Sequence, residues 1–221
     1  MRSLKLGLLV RKPRWTLSLR GKLLLLCVVA ACIIAGRFGT YPFLALNSPI
    51  IADTLIVEGW TPDYLMNAAA DEFRRGHYRQ LVIVRSVHEP DAEDQRKIDI
   101  AAIESMTRML LLNGVPSESL ATVVYPTAER DRTYHTALAA KRWFQEKKAS
   151  DSFNVATVGP HARRSWLLFR KAFGNTAKMG IVALRDPMYD SKHWWRTSEG
   201  VDEVMEESIK YVYVRFFFLW A

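Results

Sequence analysis

The sequence predicts an α/β fold with a doubly wound, mainly parallel sheet of about five strands, preceded by one N-terminal transmembrane helix. After residue 50, short apolar runs alternate four times with helical stretches, which is the pattern of strand–helix–strand units. The apolar runs are mostly continuous, as expected of strands that are buried on both faces. An uncharged stretch near the N-terminus follows a cluster of basic residues, which is typical of a membrane segment.

The charge of the chain is concentrated at its N-terminus. The 221 residues include 31 Lys and Arg against 23 Asp and Glu. Eight of the cations precede the first acidic residue, Asp53, so residues 53–221 hold 23 charges of each sign. These eight cations are Arg2, Lys5, Arg11, Lys12, Arg14, Arg20, Lys22 and Arg37. A neutral body lacks the basic surface expected of a nucleic-acid-binding domain, so we predict no nucleic-acid partner.

Residues 23–36 form an uncharged apolar segment between Lys22 and Arg37. As a helix this segment would span only about 21 Å of the ~30 Å hydrocarbon core. The missing length of about 9 Å is supplied by the apolar residues after Arg37 and by Lys22 and Arg37, whose side chains can extend toward the two membrane surfaces. We therefore predict a basic cytoplasmic arm at 1–22, a membrane anchor with its exit segment at 23–46, and a domain at 47–221. The lipid bilayer is a predicted partner, and the positive-inside rule places the domain outside the cytoplasm.

Three other interpretations of this segment stay open. It fits a cleaved secretory signal, since basic residues precede an apolar core. The sequence Val29-Ala30-Ala31-Cys32 resembles a lipobox, which would make Cys32 a lipidated residue. A buried core helix is the simplest alternative, although the upstream cations argue against it. Both cysteines, Cys27 and Cys32, lie here, so the remaining chain has no disulfide and no cysteine metal ligand.

The body of the chain is predicted to be one domain that follows a proline-containing linker at 41–49. The predicted strands are 51–57, 80–85, 121–125, 153–158 and 179–184. The predicted helices are 63–75, 94–113, 133–147, 162–173 and 201–220, the second ending at Gly114-Val115-Pro116. In the last helix, the apolar face expected to pack on the core, with its final turn near lipid, contains Ile209, Val212, Tyr213, Phe216, Phe217 and Trp220.

Polar residues follow several predicted strands and point to a ligand site. In a doubly wound sheet the ligand crevice lies outside the carboxyl ends of the strands. Those ends carry Glu58, Arg85, Ser86, Thr127 and His161. We therefore expect these side chains to gather at one edge of the sheet.

Two helices extend their buried faces into the same region. The apolar stripe of helix 162–173 continues backward to His161 and Arg164, and that of helix 133–147 continues backward to Thr133 and Arg130. Helix starts also offer free backbone N–H groups and a positive dipole end. The predicted guest is therefore an anion, most simply a phosphate or a carboxylate.

The residues predicted to bind this ligand are Arg85, Ser86, Thr127, Arg130, Arg132, Thr133 and Arg164. Glu58 is a candidate general base with His161 as its acid or electrostatic partner, since a carboxylate and an imidazole can exchange protons near neutral pH. Alternatively, Glu58 caps the following turn or pairs with an arginine. In that structural alternative, ion pairs link Arg130, Arg132, Arg163 and Arg164 with Glu58, Asp63, Asp131 and Asp186.

No metal ion and no cofactor is predicted. The five histidines, at positions 77, 88, 135, 161 and 193, show none of the spacings typical of zinc ligands. No Walker-type loop and no dinucleotide-binding glycine motif is present. Ser86 also lacks the G-x-S-x-G context of a nucleophilic serine.

Several motifs together resemble the envelope proteins of the YdcF, SanA and ElyC type. They are the ADTLIVEG strand, the GVP helix end, the T-Y-x-x-A segment at Thr133 and the T-x-x-x-H-x-x-R motif at 157–164, and they span about residues 50–185. The resemblance implies a Rossmann-like domain in the bacterial cell envelope, anchored in the inner membrane. It places the family's threonine, histidine and arginine on Thr157, His161 and Arg164, which adds Thr157 to the ligand-binding set.

The chain departs from the family pattern at the first two strand ends. After the first strand, where the family commonly has a glycine-rich turn, this chain has EGW at 58–60. After the second strand, where Ser-Gly-Gly is expected, it has RSVH at 85–88. It also has His135 at or beside a position where asparagine is usual. These bulkier residues narrow the space for a phosphate. The segments VEGW, RDRTY, GPHARRS and WWRTSEG resemble a subgroup that is associated with exopolysaccharide and exosortase systems.

Two functions are compatible with these observations. The first is a membrane-anchored extracytoplasmic domain that binds an anionic envelope or polysaccharide metabolite, with transfer or hydrolysis of that metabolite left open. The second is a non-enzymatic scaffold for an envelope or exopolysaccharide complex. The first requires His161, Arg164 and Arg130 or Arg132 to converge on an open pocket near Glu58. The second requires carboxylates that neutralise these groups and a closed crevice. The sequence leaves the substrate, the reaction and the oligomeric state open.

Overall fold

The computed structural model describes residues 18–147 and 152–218. Its sheet has five parallel strands in the order β3-β2-β1-β4-β5. The strands are β1 (Thr54–Glu58), β2 (Gln80–Val87), β3 (Leu120–Pro126), β4 (Ser152–Val158) and β5 (Lys178–Leu184). The helices are α1 (Leu19–Leu44), α2 (Met66–Arg75), α3 (Glu93–Leu112), α4 (Arg132–Lys147), α5 (Ala162–Phe173) and α6 (Ser198–Phe216). The predicted α/β, doubly wound fold is confirmed.

The predicted elements differ from the observed ones mainly at their starts. The first strand begins at Thr54 instead of residue 51, and Ile51 is fully exposed. The first predicted helix opens with a single 3₁₀ turn before α2. The glycine-then-proline stop is confirmed, because Gly114, two residues after α3, has a φ of +82° that favours glycine.

Helices cover both faces of the sheet, and the central strand β1 is buried at every position, whereas the edge strand β3 is only partly covered. Along β1, Leu55 and Val57 pack in the core that includes α2 and α3, whereas Ile56 packs in the core that includes α4 and α5. Successive strand residues point to opposite faces, so both faces require apolar side chains. This explains why β1 is a continuous apolar run and not an alternating one.

α1 is long and apolar enough to cross a membrane. Its 26 residues correspond to about 39 Å, more than the ~30 Å hydrocarbon core. Apolar side chains before Arg37 are exposed, which contrasts with the buried side chains of a core helix. The helix continues through Pro42 to Leu44, so the predicted linker begins later than its prolines suggest. The predicted basic arm lies largely outside the described residues.

The chain divides into two compact units after Arg37. The second unit starts at Phe38, earlier than the predicted domain boundary at residue 47. Packing explains this start, since Leu44 is 1% exposed and lies in a cluster with Tyr189, Trp194 and Val204. The last turns of α1 are therefore part of the folded domain.

The prediction of which face of α6 packs on the core is wrong. Ile209, Val212, Tyr213, Phe216 and Phe217 are exposed, and Trp220 lies outside the described residues. The buried positions of this helix are Gly200, Val204, Glu207 and Val214. A charged residue in the middle of this buried stripe makes it look polar in the sequence, which is why the pattern favoured the other face.

Candidate functional site

A crevice of about 800 Å³ lies at the carboxyl ends of the strands. It occurs where the strand order reverses, with β2 and β3 on one side of β1 and β4 and β5 on the other. Its volume is in the range of small-molecule sites. The predicted site residues that line it are Arg85, Ser86, Thr127, Arg132, Thr133, His161 and Arg164. Glu58, Thr157 and Arg130 do not line it.

One wall of the crevice carries three buried side chains that bind one another, His161, Arg164 and Glu207, which we call the Arg164 cluster. Arg164 Nε donates to Glu207 Oε2 at 2.8 Å, and Arg164 Nη1 donates to Thr133 Oγ1 at 3.1 Å. His161 Nδ1 lies 2.8 Å from Glu207 Oε1. The helix-face argument thus brings Thr133, His161 and Arg164 together as expected, but α6 adds a carboxylate.

The hydrogen bonds of the Arg164 cluster determine the tautomer of His161. Arg164 Nη2 donates to His161 Nε2, so this nitrogen carries no proton and Nδ1 donates its own to Glu207. Burial lowers the pKa of His161 more than the hydrogen bond to Glu207 raises it, which keeps the ring neutral. Burial raises the pKa of Glu207, but hydrogen bonds from His161 and Arg164 outweigh this and lower it to about 2.

The Arg164 cluster limits what its members can offer a ligand. Nε, Nη1 and Nη2 of Arg164 and both ring nitrogens of His161 already bind protein atoms. The cation pairs with Glu207 and not with any of the four carboxylates predicted in the structural alternative. A bracing role follows directly from this geometry, and direct ligand contact by Arg164 stays a prediction.

Glu58 and Thr157 are fully buried at the ends of β1 and β4. Glu58 Oε2 accepts a hydrogen bond of 2.7 Å from Ser165 Oγ. Glu58 Oε1 and Thr157 Oγ1 have no protein partner among the described residues. Trp60, not Glu58, lies against His161, with 3.9 Å between the ring centroids. The catalytic role of Glu58 and the binding role of Thr157 stay predictions.

The side of the crevice formed by β2, β3 and α4 is lined by residues that carry hydrogen-bond donors without protein partners. Arg85 Nη1 donates to Gly59 O, but Arg85 Nε has no partner among the described residues. The buried Thr127 Oγ1 likewise has no partner there. Arg132, the first residue of α4, is exposed and has no carboxylate partner in the described part of the chain. Arg130 is exposed outside the crevice.

The α6 side of the crevice is acidic. Asp186, Glu203, Glu206 and Glu207 line it, and Asp186 Oδ2 accepts a 3.1 Å hydrogen bond from the Tyr64 hydroxyl. Burial, aided by the charges of the neighbouring carboxylates Asp186, Glu206 and Glu207, raises the pKa of Glu203 to about 7. The lining as a whole therefore has more carboxylates than cations.

The raised pKa of Glu203 predicts a pH-dependent stability difference. Folded Glu203 keeps its proton up to about pH 7, whereas an ordinary glutamate loses it near 4.5, so unfolding releases a proton between these values. The contribution of protonated Glu203 to the stability of the folded domain is present at low pH and is lost as the pH rises through 7. In urea unfolding, wild type should lose stability relative to Glu203→Gln between pH 5 and pH 8. Glu146→Gln, at an exposed position of α4 outside the crevice lining, should match wild type at every pH.

Glu207 is a site residue that the sequence argument missed. Its buried stripe runs through Gly200, Val204, Glu207 and Val214, but the larger apolar residues of α6 lie on another face. The sequence does contain a signal for its burial. Glu207 lies seven residues after Gly200 and three after Val204, so it shares a helix face with residues that are otherwise small or apolar. Such an acid needs a buried cation, and Arg164 at the start of α5 supplies it.

No protein-family model matches the chain, and no match is found among curated proteins. In the part of the chain that it describes, the structure defines a doubly wound α/β domain with a crevice at its strand ends and one helix long and apolar enough to cross a membrane. The resemblance to YdcF-type envelope proteins stays a prediction. Across residues 18–147 and 152–218, no group of three or more His, Cys, Asp or Glu side chains is placed to hold a metal ion.

Proposed function

We propose that this domain binds a small anionic metabolite of the cell envelope, most simply a phosphorylated one, in the crevice at its strand ends. The observation that carries the proposal is a group of donors on one wall: the buried, unpartnered Arg85 Nε and Thr127 Oγ1, together with the exposed guanidinium of Arg132. Donors that lack protein acceptors favour a ligand that supplies acceptors, and a phosphate offers three oxygens. Backbone N–H groups at the start of α4 add further donors.

Direct hydrogen bonds, not the overall charge of the crevice, hold the anion. Carboxylates outnumber cations in the lining, so long-range attraction of an anion is weak. Three charge-assisted hydrogen bonds of about 1.5–3 kcal/mol each correspond to roughly millimolar to micromolar affinity. The carboxylates on the α6 side accept hydrogen bonds from hydroxyl groups, so that side suits a hydroxyl-bearing part such as a sugar.

The proposed location of this site is the outer face of a bacterial inner membrane. α1 supplies a helix that is long and apolar enough to span the bilayer. The cations at 2–22 precede its apolar part, which starts at Leu23, and positive charge favours the cytoplasmic side, so the domain that follows lies outside. The cell-envelope assignment rests on this segment together with the resemblance to YdcF-type proteins.

Removing one unpartnered cation should weaken phosphate binding. In titration calorimetry of the full chain in detergent with inorganic phosphate and glucose 1-phosphate, Arg132→Ala should raise Kd roughly 10-fold to 100-fold, because one charge-assisted hydrogen bond is lost. Arg142→Ala changes an exposed arginine of the same helix outside the crevice, so it should leave Kd unchanged. Equal Kd values for wild type and Arg132→Ala would remove Arg132 from the site.

One observation favours the scaffold function as a second candidate. Glu207 neutralises the charge of Arg164. His161 binds Glu207 through Nδ1 and Arg164 through Nε2, so neither ring nitrogen is free for a ligand, as expected of a purely structural cluster. A scaffold has no need for a phosphate ligand. Failure of wild type to bind either phosphate in the same titration would therefore favour the scaffold over the binding domain.

A further inference from the structure

A second histidine lines the crevice immediately after β2. His88 Nδ1 lies 2.7 Å from Asp99 Oδ2, and the same oxygen accepts a 3.0 Å hydrogen bond from the His88 backbone N–H. Arg96 Nη1 donates to the His88 carbonyl at 3.0 Å. Both partners belong to α3, so this helix holds the backbone and the ring of His88 in one position.

The contacts of His88 leave one ring nitrogen available. Asp99 is an acceptor, so Nδ1 carries the proton of the neutral ring and Nε2 has a free lone pair. No protein atom among the described residues binds His88 Nε2, and the side chain is 39% exposed. The arrangement is the reverse of His161, whose Nε2 accepts from Arg164.

Asp99 is suited to stabilise a proton on this ring. Its side chain is 13% exposed and lies near Arg85 as well as His88. Burial raises the pKa of Asp99, but hydrogen bonds from His88 and the charge of Arg85 outweigh this and lower it, so the carboxyl stays ionised. A carboxylate behind an imidazole orients the ring and stabilises the imidazolium that forms when Nε2 takes a proton.

We propose that the crevice hydrolyses a phosphate ester, with His88 as the general base that activates water. The inference rests on the proposed function, because Arg85, Thr127 and Arg132 must hold the phosphoryl group. The water oxygen forms a bond to phosphorus while its proton passes to His88 Nε2. The bond from phosphorus to the ester oxygen breaks, and that oxygen leaves with the electron pair and takes up a proton from solvent water, while His88 Nε2 returns its proton to solvent. The products are an alcohol and a phosphate.

The two histidines of the crevice thus have different tasks. His88 is the proposed catalytic residue because it lines the crevice and its Nε2 has no protein partner among the described residues, and Asp99 is a positioning residue. His161 braces Arg164 and Glu207. The exposed pair His193 and Asp190 has the same arrangement, with Nδ1 2.6 Å from the carboxylate, but it lies outside the crevice lining. It therefore provides a matched control.

The test uses the full chain in detergent with p-nitrophenyl phosphate and bis(p-nitrophenyl) phosphate, whose leaving group departs as an anion. Wild type should release p-nitrophenolate, and His88→Gln should lower kcat by roughly 10²-fold to 10⁴-fold. Asp99→Asn should lower kcat roughly 10-fold to 100-fold with little change in KM. His193→Gln should match wild type. His88→Gln should still bind inorganic phosphate, which shows that it is folded.

The outcomes separate this inference from the function on which it rests. Phosphate binding by wild type and His88→Gln, with turnover only by wild type, supports both. Phosphate binding without hydrolysis of either ester, or equal turnover by His88→Gln, overturns the hydrolytic role and leaves the binding function in place. Absence of phosphate binding overturns both.

Discussion

Glu207→Ala is expected to destabilise the domain by about 3–5 kcal/mol, because it leaves the buried Arg164 without its counter-ion. The His161 Nδ1–H loses its acceptor in the same variant. Glu207→Gln keeps an acceptor but loses the charge, so its cost should be smaller, at about 1–3 kcal/mol. Urea unfolding followed by tryptophan fluorescence measures both values.

Glu206→Ala is the matched control for Glu207. Glu206 lies one residue earlier on α6, is 56% exposed and pairs with Lys210 at 2.5 Å. An exposed pair of this kind contributes less than about 1 kcal/mol. If Glu207→Ala costs no more than Glu206→Ala, the Arg164 cluster is not the brace described above.

The contribution of Glu207 to the free energy of unfolding should also depend on pH. It should fall as the pH is lowered, whereas the contribution of Glu203 falls as the pH is raised. Its pKa is about 2 in the folded domain and near 4.5 ordinarily, so its contribution is complete above pH 4.5. It is lost as the pH falls toward 2. The stability difference between wild type and Glu207→Gln should therefore be constant at neutral pH and shrink in acid.

Leu44→Ala is expected to cost about 2–5 kcal/mol, the range for truncating a buried leucine. The side chain is 1% exposed and packs with Tyr189, Trp194 and Val204, although it belongs to the same helix as the candidate membrane anchor. Leu112→Ala, at a leucine of α3 that is 75% exposed, should change stability by less than about 0.5 kcal/mol. Equal costs for the two variants would mean that the end of α1 is not part of the core.

Packing of Leu44 has a practical consequence for a soluble form of the protein. A chain that starts at Ser48 lacks Tyr41 and Leu44, whereas the compact unit starts at Phe38. The shorter chain should therefore unfold at a lower urea concentration than one that starts at Phe38.

The fold was predictable because its signals are local and redundant. Runs such as Leu55-Ile56-Val57 are apolar at every position, and only a strand covered on both faces needs that. The glycine at 114 marks the end of α3 through its positive φ. Element starts were less predictable, since Ile51 extends the apolar run of β1 yet is exposed.

The candidate site was predictable at the strand ends, which bring Arg85, Ser86 and Thr127 to the crevice, and where a helix continued its own stripe. That argument placed Arg164 beside Thr133, and the two side chains are hydrogen-bonded. It missed Glu207 and Asp99, because each lies well inside a helix and not at a helix start or a strand end. It also overstated the cationic character of the crevice, since the partner acids on α6 are distant in sequence and only the packing of α6 brings them near.

A crystal structure of the protein with inorganic phosphate tests the central claim most directly. The account predicts phosphate oxygens within hydrogen-bonding distance of Arg85 Nε, Thr127 Oγ1 and the Arg132 guanidinium, with the Arg164 cluster intact behind them. Phosphate bound elsewhere, or a crevice filled by protein side chains when phosphate is present, would contradict it.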